Sequence, residues 1–391
     1  MIKIKMYPAS DGDAFLVSIK SIDGIKNIII DMGRESTYDN QIKKDLIELN
    51  NKNQKIDLLI ITHVDTDHIE GAVKFLKENS EDKIIDVCEV WHNSYRHFNF
   101  NKKDNNLKEI EKEQLKEIIN QNQYILDVKD ESNVTFEHGS TLASLLYGNS
   151  RWNKATNGRA ISVDNIDTYY LGDVKIKLLS PNDKKLKRLS NHWRKYLNSL
   201  SYDFNITQDS LFDDAFELFL RSENVIEYDD ENISNKKIKL NDSDVDKLSS
   251  NISKDMSPTN GSSISFILEV DKYKLLFLGD SHKDIIIENL KKIIGNNDDI
   301  KFDLVKISHH GSKNNTSLEL LNLINADKFL ISTNGKRHNH PNIETIAMLL
   351  KNEKYKEIIF NYHIDLISLL NNNELEKYNN YKIIKTNDIS I

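Results

Sequence analysis

One cysteine in 391 residues, Cys88, excludes an intramolecular disulfide and a thiolate-built zinc cluster. Its expected place is a small buried side chain in a strand over Ile84–Trp91. No apolar run approaches the ~20 residues that cross a bilayer. The opening M-I-K-I-K-M-Y-P-A-S-D-G-D lacks the apolar centre of a secretion signal. The expectation is a cytoplasmic protein with no membrane partner. Positive charge is also short: the formal net charge is −8, so no overall field draws the chain to nucleic acid. Neither G-x-x-x-x-G-K-[ST] nor G-x-S-x-G occurs, which argues against phosphate-loop ATP hydrolysis and against an elbow serine. A cysteine inside a strand is a poor nucleophile as well.

What the chain does have is T-H-V-D-T-D-H-I-E-G at residues 62–71. His63, Asp65, Asp67 and His68 are four potential metal ligands within six positions. They follow Ile56–Ile61, which reads as a buried strand, and precede Gly71, where a helix is expected to begin. A strand that ends in such a cluster presents its side chains to one point beyond the sheet. Imidazoles and carboxylates are the natural ligands of zinc and similar divalent ions.

The rest reads as an α/β protein, one domain over residues 1–391 with two long insertions. Strands are expected at Met1–Met6 and Ala14–Ile19, around a turn at Ser10-Asp-Gly-Asp, and at Asn27–Asp31 and Asp57–Thr62. Further strands fall at Val174–Leu179, Ser262–Val270, Lys274–Leu278, Leu304–Ser308 and Lys328–Ser332. Helices are expected at Asn40–Leu49, Gly71–Glu78, Leu107–Ile119, His282–Ile294 and Ser317–Ile324. The insertions cover about 95–170 and 183–258. The second opens basic and ends acidic and Asn/Ser-rich, which suggests peripheral, mobile loops poor in core-forming residues.

Later strand ends supply more ligands. L-L-F-L-G-D-S sets Asp280 just past a strand, and one carboxylate can bridge two ions ~3.5–4 Å apart. K-I-S-H-H-G-S brings His309 and His310, and S-T-N-G-K-R-H-N-H-P-N brings His338 and His340. Strand ends are where α/β sheets build their sites. His97, His192, His282 and His363 lack such a setting and read as surface or packing residues.

In this order the motifs resemble the metallo-β-lactamase fold superfamily. Within it they are most similar to the hydrolase domain of ComEC-type competence proteins and its free-standing relatives. S-D-G-D-A-F-L-V resembles that group's G-x-G-D-A-x-L-I, and I-I-D-M-G its I-D-x-G. The cluster at 62–71 resembles S-H-x-D-x-D-H-x-G-G, with Asp65 where most of the superfamily has a histidine. V-K-I-K-L-L-S-P, N-G-S-S-I-S-F-I-L-E-V, L-F-L-G-D and K-I-S-H-H-G-S continue the series.

The resemblance implies a four-layer αββα sandwich and a two-metal hydrolase. His63 and Asp65 would hold one ion, Asp67 and His68 the other, with Asp280 as the bridge. One of His309 and His310 would ligate, His309 being favoured. Asp31 would orient a ligand histidine through its far ring nitrogen. The superfamily's third histidine is sought at His92, with His138 as a second candidate. Zinc is the first expectation. Asp65 hardens the site, so manganese is the alternative. Asp67 would orient the attacking water. His340, in a motif where Asn342 replaces the last histidine, would protonate a leaving group or grip a phosphate.

The expected substrate is a phosphodiester, in a nucleic acid or a nucleotide. The segment Lys184–Arg194 supports this, with Lys184, Lys185, Lys187, Arg188 and Arg194 set to follow a phosphate backbone and Trp193 to stack a base. The alternatives are a small-molecule hydrolase acting on a lactone, thioester, β-lactam or choline-type phosphodiester, and a metal-binding module without catalysis. Oligomeric state is not legible.

Overall fold

A computed structural model describes the chain except for residues 99–106, 130–140, 201, 203, 205–206, 235–244, 251–252, 298, 353, 365–377 and 379. Its strands are β1 (Ile2–Met6), β2 (Ala14–Ser21), β3 (Gly24–Met32), β4 (Leu58–Ile60), β5 (Val90–Trp91), β6 (Thr168–Leu171), β7 (Val174–Ser180) and β8 (Ser265–Val270). They continue with β9 (Tyr273–Phe277), β10 (Ile300–Phe302), β11 (Leu304–Lys306), β12 (Ile324–Ala326), β13 (Lys328–Ile331), β14 (Lys356–Phe360), β15 (Tyr381–Lys385) and β16 (Asp388–Ser390). One sheet runs β16-β1-β2-β3-β4-β5 and the other β15-β14-β13-β11-β9-β8-β7-β6, while β10 and β12 form a small separate pair.

Period-two alternation explains how the sheets stack. Ile2, Ile4, Phe15, Val17, Ile28, Ile30, Leu58 and Ile60 face one way and meet Ile176, Leu178, Phe266, Leu268, Leu275 and Phe277 of the other sheet. Their neighbours Leu16, Ile29, Leu59 and Ile61 face outward and are covered by helices. Ile267, Leu276, Val305, Phe329 and Ile358 do the same on the far side. Both faces of both sheets are therefore buried, and the protein is the four-layer αββα sandwich expected.

Several expectations are corrected here. The second insertion is not a set of loops poor in core residues. Its helices Asp183–Ser199 and Ser210–Ser234 bury Leu186, Leu189, Trp193, Leu197, Phe212, Phe216 and Phe219 in the core outside the first sheet. They share that core with Leu115 and Ile118 of the helix Glu109–Lys129, so the two insertions complete one outer layer together. The helix expected from Gly71 begins earlier, at Thr66, and runs to Glu81. Asp67 and His68 therefore lie in its first turn. In addition, the strand expected over Ile84–Trp91 is only β5, and Cys88 is partly exposed rather than buried. No helix among the described residues is long and apolar enough to cross a membrane.

What positions the site is the parallel part of each sheet. β3, β4 and β5 run parallel, as do β9, β11, β13, β14 and β15. The carboxyl ends of β3, β4, β9, β11 and β13 deliver Asp31, His63, Asp280, His309-His310 and His338-His340 to one edge of the sandwich.

Candidate metal centre

Asp31, next to last in β3, takes the left-handed region, φ +54°, a strained setting for a residue that is not glycine. The turn aims its carboxylate back at the loop after β4. Oδ1 accepts from the Thr62 backbone N–H at 2.7 Å, and Oδ2 accepts from Thr62 Oγ1 at 2.8 Å. His68 Nδ1 also lies 2.8 Å from Oδ2.

These contacts fix the imidazole tautomers. An ionised carboxylate only accepts, so His68 donates from Nδ1. Thr62 has one hydroxyl proton and gives it to Asp31. His63 Nδ1, 2.9 Å from Thr62 Oγ1, must then be the donor in that pair. His310 Nδ1 lies 3.0 Å from the Ser332 carbonyl, which can only accept. In the neutral form of each ring these contacts place the proton on Nδ1 and leave the lone pair on Nε2, the state a metal ligand needs.

The three Nε2 atoms are buried with no hydrogen-bond partner, as are Asp65 Oδ1 and Asp280 Oδ1. Buried polar atoms are rarely left so. They converge. Asp280 Oδ2 lies 4.0 Å from His63 Nε2, 3.5 Å from His68 Nε2 and 3.5 Å from His310 Nε2. Asp65 Oδ2 stands 3.1 Å from His63 Nε2. Asp67 Oδ2 is 3.7 Å from His68 Nε2 and 3.4 Å from His310 Nε2. Ligand atoms of His63, His68 and Asp280 lie within 4.8 Å of one another, and so do those of Asp67, His68 and His310. These donors could hold divalent metal, with His68 common to both groups and Asp280 Oδ2 within 4.0 Å of all three imidazoles.

The field of this cluster favours cations. Burial alone lowers the His68 pKa, yet Asp280, Asp67 and Asp31 outweigh it and raise it well above the ordinary value. His310 behaves likewise, through Asp280 and Asp13. Asp280 itself is held well below the usual carboxylate range, because His68, His310 and His309 overcome its desolvation.

Some candidates fall elsewhere. His310 stands in the buried set, while the favoured His309 faces Asp280 from the cleft wall. Both residues adopt left-handed conformations, φ +49° and +53°, so the pair turns sharply, and His310 is the more deeply buried of the two. His309 is half-buried in the cleft wall, its Nε2 3.8 Å from Asp280 Oδ2 and its Nδ1 3.1 Å from Asn315 Oδ1. His92 is not brought to the cluster. It is stacked on Trp152, and its Nε2 is 3.9 Å from Glu217. Burial lowers its pKa to about 3, which keeps it neutral. His138 lies outside the described residues. His340 is buried, its ring 5.0 Å from that of His309. Burial, followed by His309, His310 and His338, holds its pKa well below the ordinary value. A neutral N–H, not an imidazolium, is what it offers.

Two residues at the centre carried no role in the sequence reading. Lys306, the last residue of β11, is fully buried and ion-paired with Asp13. It donates to the Gly279 carbonyl at 3.0 Å and lies 3.6 Å from Asp280 Oδ1. Asp13 Oδ1 is in turn 3.4 Å from His310 Nδ1. The available signal was a lysine inside an apolar strand, Leu304-Val-Lys-Ile. Gly12, beside Asp13, is dictated by space, since a Cβ there would stand 1.8 Å from the Asp67 carbonyl oxygen. His282, read as a packing residue, is connected to the site: its Nε2 is 3.6 Å from Asp255 Oδ1, and Asp255 Oδ2 is 3.6 Å from His309 Nδ1.

The basic stretch is split by the helix it forms. Trp193 is buried in the core and cannot stack a base, and Lys185 is buried against His282 and Asp284. Lys184, Lys187, Arg188, Arg194 and Lys195 line an open groove of about 640 Å³.

Residues 9–152 match the model of the Metallo-beta-lactamase superfamily. No curated protein matches the chain. Among solved structures, the metallo-beta-lactamase fold protein YhfI from Bacillus subtilis is similar at 7% identity and TM-score 0.37, covering 100% of both chains. A mutant CmlA beta-hydroxylase matches at 10% identity and TM-score 0.37, covering 100% of this chain and 53% of its own. A motif mutant of a metallo-beta-lactamase from Cronobacter sakazakii matches at 11% identity and TM-score 0.22, covering 58% and 93%.

Proposed function

We propose that this chain of metallo-β-lactamase fold is a two-metal phosphodiesterase, akin to the ComEC-type hydrolases, acting on a nucleic acid or nucleotide. One observation carries the metal chemistry: three buried Nε2 atoms without partners surround one oxygen of Asp280. His63, Asp65 and Asp280 would hold one ion, and Asp67, His68, His310 and Asp280 the other. When bound, such ions polarise a substrate oxygen and lower the pKa of a water toward neutrality. Zinc suits the imidazoles, and the three carboxylates admit manganese.

The protein's own groups do the remaining work. Asp31, Thr62 and the Ser332 carbonyl fix the imidazoles so that no reorganisation is needed when the reaction begins. Asp67 orients the attacking water through a carboxylate oxygen. His340 donates its neutral N–H to a substrate oxygen.

A phosphodiester is favoured by the cations nearby. The groove on the helix Asp183–Ser199 gathers five Lys and Arg side chains on a protein of net charge −8. The same helix is tied to the site on its buried side: Lys185 Nζ is 2.9 Å from His282 Nδ1, and His282 reaches His309 through Asp255.

The test uses metal-stripped protein reloaded with zinc or manganese, assayed on bis-p-nitrophenyl phosphate, single-stranded DNA, duplex DNA and RNA. About two ions per chain should be retained, and Asp280→Asn should lose turnover while keeping the fold. Failure to retain any ion after reloading would end the hydrolase reading. Cleavage of the small diester with no polymer cleaved, at low or physiological salt, would transfer the case to a small-molecule substrate.

A further inference from the structure

The cleft above the candidate metal residues is lined by Asp65, Asp67, Asp280, His309, His310 and His340, with Asp11 and Arg337 at its rim. Arg337 is the one Lys or Arg among its described lining residues. Its Nη1 stands 3.1 Å from Asp11 Oδ2. That carboxylate is already neutralised from the other side. Arg34 gives it two parallel hydrogen bonds, Nε to Oδ1 at 3.1 Å and Nη2 to Oδ2 at 3.0 Å.

The two arginines differ in setting. The Arg34 side chain is 14% exposed and also lies 3.8 Å from Glu70, as a structural clamp should. The Arg337 side chain is 42% exposed. It sits on the tight loop after β13, where Gly335, His338 and Asn339 all take positive φ. Asn334 N–H donates to the Ser10 carbonyl at 2.8 Å, which pins the start of that loop beside Asp11. Asp11 would therefore remain paired if Arg337 left it.

We propose that Arg337 is the anion-recognition residue of this cleft, exchanging Asp11 for the non-bridging oxygens of a substrate phosphate while Asp11 stays with Arg34. The assignment rests on the phosphodiester reading above. An anion approaching Asp65, Asp67 and Asp280 needs positive charge on its outer side as well as from the ions beneath. A guanidinium supplies that charge in a fork that matches two phosphate oxygens. Held against Asp11 in the free protein, the side chain is pre-positioned at the rim and loses little freedom on binding. This makes Arg337 a determinant of specificity for anionic over neutral substrates, distinct from the groups that hold metal.

The experiment uses the full, metal-loaded chain with inorganic phosphate as probe, measured by calorimetry, and with bis-p-nitrophenyl phosphate as substrate. R337Q should bind phosphate about tenfold more weakly or worse and raise KM by a similar factor, with a smaller change in kcat. Metal content and melting temperature should stay those of the wild type, and R337K should recover part of the loss. Phosphate affinity and KM within about twofold of wild type in R337Q would overturn the proposal, as would a wild type that binds no phosphate. Phosphate binding that depends on Arg337, in a wild type that cleaves no diester, would uphold the anion site and sink the phosphodiesterase reading instead.

Discussion

Replacing Lys306 with methionine isolates the buried ion pair beneath the candidate metal centre. Lys306 and Asp13 are both essentially inaccessible to water. The substitution keeps the side chain's bulk and removes its charge. Asp13 is then left with His310 Nδ1 at 3.4 Å, a donor already engaged with the Ser332 carbonyl at 3.0 Å. The Gly279 carbonyl loses a donor at 3.0 Å, and Asp280 Oδ1 loses the cation 3.6 Å away. Lys306 raises its own pKa against desolvation chiefly through Asp13 and Asp280, so the charge is strongly held. Removing one partner of such a pair costs about 3–5 kcal/mol, because the other charge stays buried. Removing both is much cheaper.

The expected result is a loss of about 3–5 kcal/mol for Lys306→Met in urea unfolding of metal-free protein. Asp13→Asn combined with Lys306→Met should recover more than half of it. A double-mutant cycle separates the coupling from the cost of each change alone. A loss below about 1 kcal/mol in the single variant, the level of a solvated surface pair, would refute the picture of a sealed charge pair.

Other outcomes follow from the same geometry. His310→Ala should lose metal on dialysis, whereas His309→Ala should retain it; equal retention by both would contradict the buried set. Gly12→Ala should drive the Asp11–Asp13 turn off the Asp67 carbonyl, since its Cβ would stand 1.8 Å from that oxygen, and should show as lost metal content and a lowered melting temperature. Glu217, whose carboxylate accepts from the Leu142 and Ala143 backbone N–H groups, is pushed by burial up to about 7. A carboxyl raised in the fold contributes stability that is full below its unfolded pKa and is lost as pH rises from 4.5 through about 7. The loss amounts to about 3 kcal/mol, and Glu217→Gln should flatten it in melting curves taken across that range.

The parts of this site that the sequence carries are those written locally. T-H-V-D-T-D-H follows a strand and precedes a helix, so His63, Asp65, Asp67 and His68 could be grouped from spacing. Asp280 and the His309-His310 pair each end an apolar strand. The alternating core positions of β1 to β4 and β7 to β9 were readable for the same reason: period two needs no partner to be seen. What failed is written over long range or hidden by composition. The turn at His309 and His310 rests on two successive left-handed residues, which no spacing reveals. The Lys306–Asp13 pair joins the first turn of the chain to a strand far along it. The helix Asp183–Ser199 did display Leu186, Leu189, Trp193 and Leu197 at helical intervals. Lys and Arg between them drew attention to a charged stretch and away from its buried face.

That long-range pair also says why the site has the composition it has. Asp13, Asp31, Asp65, Asp67 and Asp280 are five buried carboxylates within one small volume. Unpaired, each would be costly. Lys306 accounts for one. Arg34 adds its charge near Asp67 and Asp11 but stays outside the convergent set. The remaining carboxylates outnumber the cationic side chains around them. In the metal-free protein the deficit falls on His68 and His310, whose pKa values are raised accordingly. Protons and metal ions therefore compete for the same Nε2 atoms. The strained Asp31, the glycine-tight turn under Asp67 and the sealed lysine share one effect: they hold excess negative charge away from water, the setting that the proposed metal centre requires.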